Sequence, residues 1–150
     1  MSAVALRPLQ PADLPVLCRL LGELDEGPPV EPATAEATLA AMQAFPGYRC
    51  FVAERGETVV GTLSMLVFPV LSRHARREAI VDAVVVAHER RGQGIGRAMM
   101  AAALQLAADQ GAYKLALSSN QRRTGAHDFY RALGFEQHGL SFSIATGIHP

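Results

Sequence analysis

The chemistry in this chain that can be read from residue type and spacing alone is a run of arginines and glycines: Arg90, Arg91, Gly92, Gln93, Gly94, Ile95, Gly96, Arg97. Three alternate glycines strip a turn of side chains, so that backbone N–H groups can approach a ligand closely. The run lies where a Val-rich segment ends and an Ala-, Met- and Leu-rich helical pattern begins. A helix N-terminus carries open N–H donors and roughly half a positive charge, so such a turn suits a phosphate group. The same glycines would equally serve a tight strand-to-helix turn that binds nothing. Two phosphate-binding patterns fail on spacing. Counted from Gly92, a P-loop requires glycine then Lys and Ser or Thr where Arg97, Ala98 and Met99 stand. A dinucleotide GxGxxG also requires glycine at Arg97, and no acidic residue ends a second strand about 20 residues on.

The elements that must hold this turn follow from periodicity. Residues 3–7 predict a short strand, and Leu14, Leu17, Leu20, Leu21 and Leu24 predict a helix with Pro11 near its start. A polar, Pro-rich loop over 25–32 follows, then a helix capped by Thr34 and ended at Pro46 and Gly47. Residues 48–54 and 57–68 flank Arg55 and Gly56 as a β-hairpin, and 79–86 give a third strand of this group. A helix over 94–110 ends at Gly111, a strand covers 113–118, and a helix over 124–133 closes at Gly134. Alternation over 140–145 predicts a final strand. The sum is an α/β (α+β) fold, with antiparallel strands first and one βαβ crossover at the glycine turn. No repeat or linker interrupts it, so residues 1–150 are expected to form one domain.

Composition narrows the function. Lys plus Arg and Asp plus Glu are both 14, so no global field favours nucleic acid or an anionic membrane. The longest apolar runs fall far short of the roughly 20 residues of a membrane helix, which predicts a soluble protein. Cys18 and Cys50 match no zinc spacing, and the start of the chain lacks a basic segment with an apolar core. We read them as buried thiols of a cytoplasmic protein. His74, His88, His127, His138 and His149 show no ligand spacing, and no metal is expected.

The pattern RxxGxG, formed by Arg91, Gly92, Gln93, Gly94, Ile95 and Gly96, resembles the pyrophosphate loop of the GNAT family of N-acetyltransferases. "ERGETVVGTL" is similar to that family's second hairpin, "VDAVVVAHERRGQGIGRAMM" to its core motif, and "SSNQRRTGAHDFYRALGF" to its closing motif. The resemblance implies a mixed, mostly antiparallel sheet with helices on both faces and acetyl-coenzyme A as co-substrate. It implies that the amides of Gly92 to Gly96 bind the pyrophosphate, with Arg91 or Arg97 adding charge. It further implies that Val84, Val85 and Val86 lie along the pantetheine arm and offer a backbone N–H to the thioester carbonyl. Asp82 stands where many members carry a glutamate general base, one methylene longer, so a water relay is the expected mode. Its alternative is a structural partner for an arginine. Tyr130 matches the tyrosine that protonates the leaving thiolate, or else packs beside Phe129. Asn120 matches a residue that binds the pantetheine amide or the tyrosine, or is a turn residue.

The acceptor is less legible. Glu23, Asp25, Glu26 and Glu31 could attract a cationic amine, and Arg73, Arg76 and Arg77 could hold an anionic tail. Solvated loop charge also accounts for both clusters. The closing segment is similar to small members that include aminoalkylphosphonate acetyltransferases. A small-molecule primary amine therefore ranks first as acceptor, and a protein N-terminus or lysine second. A non-catalytic acyl-coenzyme A-binding sensor is the reading from another class. Family members often dimerise through their last strands, which makes a homodimer compatible with the 140–145 segment.

Overall fold

The computed structural model describes residues 2–25 and 27–148; Glu26 and His149, both singled out above, lie outside the described residues. Two compact units divide the chain, the first through Leu117 and the second from Ser118. In the first, β1 (Val4–Pro8) leads through a 3-10 turn (Pro11–Asp13) into α1 (Leu14–Gly22) and then α2 (Pro32–Gln43). There follow β2 (Tyr48–Arg55), β3 (Thr58–Pro69), the single turn α3 (Ser72–Ala75), whose Arg73, His74 and Ala75 are left-handed, β4 (Arg77–Val86), a 3-10 turn (His88–Arg90), α4 (Ile95–Asp109) and β5 (Ala112–Ala116). The second unit contains α5 (Thr124–Ala132).

The strands form one sheet in the order β1-β2-β3-β4-β5. The first three pairings are antiparallel and β4–β5 is parallel, so β4, α4 and β5 make the crossover expected from the sequence. Helices cover both faces. Val52 packs with Leu9, Leu17 of α1 and Leu39 of α2. Its neighbour Ala53 points to the other face and is paired with Gly61, which lies under Met99 of α4. A Cβ at Gly61 would sit 2.7 Å from Met99 Sδ and 2.8 Å from the Val85 carbonyl oxygen. Glycine is therefore what lets α4 press onto the sheet. The stripe Ile95, Met99, Met100, Ala103 and Ala107 is buried at helical spacing, the core role that periodicity assigns to both methionines.

A charged pin closes the sheet's far end. The Arg7 guanidinium donates to Asp13 at 2.7 and 2.9 Å and to Glu54 at 2.7 Å, tying β1 to the entry of α1 and to β2. Asp13 also accepts the Gln10 N–H at 2.8 Å. The Arg7 guanidinium holds the buried Asp13 carboxyl below its ordinary value, and the two carboxylates in turn raise Arg7.

Three expectations need correction. α2 begins at Pro32 with Glu31 as its N-cap, not at Thr34, because proline's fixed φ suits the first helical position. Residues 140–145 form no strand, and Leu140, Phe142 and Ile144 are 74%, 90% and 92% exposed. Alternation specifies a strand only where another edge completes its ladder, and among the described residues no backbone–backbone bond is made from 136 to 148. Cys18 and Cys50 are free thiols but only half-buried, and Cys50 stands at the margin of the cluster formed by Leu9, Leu17, Leu39 and Val52. Burial still pushes the Cys50 thiol up from its ordinary value.

Candidate active site

The glycine turn is built by two left-handed residues, Gly92 at φ +75° and Gly94 at φ +77°, either side of Gln93. Nothing lies within 4 Å of where a Cβ would stand at either one, so backbone conformation and not crowding requires glycine there. Gly94 is the N-cap of α4, and no side chain caps that end. The first helical bond runs from the Ala98 N–H to the Gly94 carbonyl at 3.1 Å. The N–H groups of Ile95, Gly96 and Arg97 therefore remain as the open donors of the helix start. They begin a 15-residue helix, whose dipole adds positive potential at that end. Arg97 is exposed on this first turn.

Beside the turn, β4 is irregular in two ways. Thr62 pairs with Val85 and Ser64 with Asp82, so β4 carries one residue more than β3 between those pairs. This is a β-bulge, and Ala83 within it takes the left-handed φ of 49°. On the other side of β4 the parallel ladder ends at Ile80 and Ala116, leaving residues 81–86 without a strand partner on that edge among the described residues. Val84 and Val86 are half-buried on this stretch, while Val85 is buried against Leu20 and Ala87. The open edge leads through Ala87 and the 3-10 turn (His88–Arg90) to the glycine turn. A backbone edge followed by a helix start offers a row of N–H donors with few side chains in the way.

Asp82 is exposed, and its carboxylate accepts the Ala83 N–H at 2.8 Å while the Ser64 hydroxyl donates to its carbonyl at 3.2 Å. The carboxylate thus fixes the bulge and retains a second oxygen for other work. The ion pairs seen among the described residues join Arg7 to Asp13 and Glu54, Arg91 to Glu23, Lys114 to Glu78 and Arg131 to Asp128.

In the second unit, Asn120 is a turn residue: its side-chain oxygen accepts the Arg122 N–H at 2.9 Å. Its carbonyl oxygen accepts the Arg123 N–H at 3.0 Å and lies 2.9 Å from His127 Nε2, which must carry the proton to bond a carbonyl. Tyr130 is half-buried on α5, with Phe129 and Phe135 edge-on to its ring at 5.2 and 5.7 Å. The aromatic neighbours fix the ring's orientation on the helix.

Sequence reasoning missed two residues that shape the glycine turn. Arg55, at the end of β2, donates to the Gln93 side-chain oxygen at 2.9 Å and to the Gln93 carbonyl at 3.3 Å. Glu23, just after α1, accepts the His88 N–H at 2.9 Å and pairs with Arg91 at 3.8 Å. Arg91 also donates to the Val86 carbonyl at 3.2 Å. Glu23, read from the sequence as a lure for a cationic amine, is thus engaged under the turn. No local signal pairs residues so distant in the chain. Of the basic cluster, Arg76 stacks over the Tyr113 ring at 4.3 Å and donates to the Arg73 carbonyl at 2.9 Å, beside a Glu78 carboxyl held low first by the Tyr113 hydroxyl. Among the described residues no group of His, Cys, Asp and Glu is arranged to hold a metal ion, and no helix is long and apolar enough to cross a membrane.

Comparison with known proteins fits this arrangement. The model of the acetyltransferase (GNAT) family matches residues 18–135. Glucosamine 6-phosphate N-acetyltransferase of Trypanosoma brucei brucei is 31% identical over 135 residues, covering 89% of each chain. N-acetyltransferase 8B of Homo sapiens is 39% identical over 95 residues, 62% of this chain, which spans only 41% of that protein. A solved acetyltransferase from Trypanosoma brucei superposes with a TM-score of 0.79 at 29% identity over 95% of this chain and 99% of that one. A solved structure from Agrobacterium tumefaciens reaches a TM-score of 0.87 at 36% identity, over 95% and 99%. The chain therefore belongs to the GNAT acetyltransferase family and is an acyltransferase.

Proposed function

We propose that the protein is an acetyl-coenzyme A-dependent N-acetyltransferase that acylates a primary amine of a small molecule by direct attack of the amine on the thioester. The observation that carries this reading is the uncapped start of α4 following, through one 3-10 turn and the glycine turn, the open edge of β4. The co-substrate fits what is present: anion-binding amides, no side chain in the space above Gly92 and Gly94, and cationic Arg97 beside them. When bound, acetyl-coenzyme A supplies the activated acetyl thioester. The amides of Gly92 to Gly96 hold its diphosphate, and the 81–86 edge, with Val84, Val85 and Val86, aligns its arm and polarises the acyl carbonyl from a backbone N–H. An aliphatic amine is protonated at neutral pH, so a base must remove a proton before attack. Asp82 serves as that base through water, using the carboxylate oxygen that does not bond Ala83. Tyr130 donates the proton that the departing thiolate takes up, and Asn120 shapes the turn that leads into α5.

The relative whose name specifies an amino sugar phosphate supports a small acceptor over a protein one. Arg73, Arg76 and Arg77 would then hold its anionic group, and acylation of a protein N-terminus or lysine ranks second. The bond from Ala83 to Asp82 favours one further reading, a coenzyme-binding module in which that carboxylate is only structural. A homodimer is part of the proposal, with the exposed 140–144 segment as its contact. Calorimetry with acetyl-coenzyme A, followed by mass analysis of a panel of amines, tests the reading. Binding and a gain of one acetyl group on small amines support it; binding without product on any amine would leave the module reading, and no binding would remove both.

A further inference from the structure

Arg55 is absent from the glycine motif, yet its guanidinium takes hold of the motif's central residue twice. It reaches Gln93 Oε1 at 2.9 Å and the Gln93 carbonyl at 3.3 Å from the far end of β2. Within a trans peptide the carbonyl and the following N–H point in opposite directions. Holding the Gln93 carbonyl toward β2 therefore directs the Gly94 N–H away from β2, and so fixes the donor next to the uncapped start of α4. This matters because Gly92 and Gly94 on either side are left-handed glycines with no side chain of their own to restrain the turn. Glycine has the largest set of accessible backbone states, so a turn of this kind loses its donor geometry unless something fixes it. On the turn's other flank, Arg91 is itself fixed to the Val86 carbonyl and to Glu23. Gln93 is the one residue of the turn between the glycines, and Arg55 is what holds it.

We infer that Arg55 is a positioning residue that acts through Gln93 to preorganise the Gly92–Gly94 turn for an anionic ligand. The inference rests on the cofactor reading above for the identity of that ligand, not for the brace itself. Preorganised donors bind more tightly because the ordering cost is met before the ligand arrives.

The test compares native protein with Arg55→Met, Arg55→Lys, Gln93→Ala and the Arg55→Met/Gln93→Ala pair. Amide hydrogen exchange of residues 92–97 in the ligand-free protein is read beside calorimetric affinity for acetyl-coenzyme A. Arg55→Met is expected to speed exchange in the turn and to weaken affinity about tenfold, with melting temperature nearly unchanged. Arg55→Lys should restore part of the loss, and the double variant should lose no more than Arg55→Met alone. Unchanged exchange in Arg55→Met would overturn the brace. So would losses from Arg55 and Gln93 that add in full, since Arg55 would then act on the ligand independently of Gln93. Native protein that does not bind acetyl-coenzyme A would instead remove the cofactor reading, while the exchange data would still decide the brace. Should Arg55→Met fail to fold, Arg55→Lys carries the same comparison of exchange and affinity.

Discussion

At the scale of single residues, Asp82 combines a structural bond with the proposed proton transfer, and the two can be separated. Asp82→Asn keeps an oxygen for the Ala83 N–H but cannot take a proton. It is expected to leave melting temperature within a few degrees and to lower kcat about a hundredfold, as loss of a general base does. Steady-state kinetics beside a melting curve checks this. Asp13 offers the contrasting case of a carboxylate with no part in chemistry. Its folded-state pKa is depressed by Arg7, so its contribution to stability is fully present above its unfolded value near 4 and is lost as pH falls through the lower folded value. Asp13→Asn should cost about 2 kcal/mol at neutral pH and flatten the decline of melting temperature below about pH 4. Both residues are visible in the sequence, but only Asp82 stands near a motif that assigns it chemistry.

At the scale of elements, the β3–β4 bulge and the pressed contact of α4 set the site. Gly61→Ala would place a methyl against Met99 Sδ and the Val85 carbonyl oxygen, one residue from Val86. It should destabilise the protein by about 1–3 kcal/mol, measured by denaturant unfolding, and should weaken cofactor affinity because α4 carries the donor amides. Most elements were legible from periodicity: the strand-rich middle, the glycine-to-helix junction and the parallel crossover all form as the spacing implies. The bulge was not legible. Residues 79–86 read as a uniform strand, and Ala83 gives no local sign of its left-handed φ, which arises from register against β3. The early start of α2 was overlooked because Thr34 is the better cap by side chain, while Pro32 decides by backbone. The Arg55–Gln93 and Glu23–Arg91 pairs were illegible for another reason: they join residues 38 and 68 positions apart, brought together only by the sheet and α1.

At the scale of the whole molecule, the alternation at Leu140, Phe142 and Ile144 is exposed, with no backbone partner over 136–148 among the described residues. Apolar groups so disposed favour a strand-forming partner, and association of two copies would supply one. Replacing Phe142 and Ile144 with Ser and Lys is expected to convert a dimer into a monomer by light-scattering chromatography; a native protein already monomeric contradicts that expectation. The central claim concerns what the chain does. It is tested most directly by amine-dependent release of thiol from acetyl-coenzyme A, comparing native protein with Tyr130→Phe and Asp82→Asn while cofactor affinity is followed in parallel. Release on a small primary amine that falls about a hundredfold in each variant, with affinity retained, is the predicted result. Turnover undiminished in both variants would contradict the assigned roles, and tight binding with no release on any amine would contradict catalysis itself.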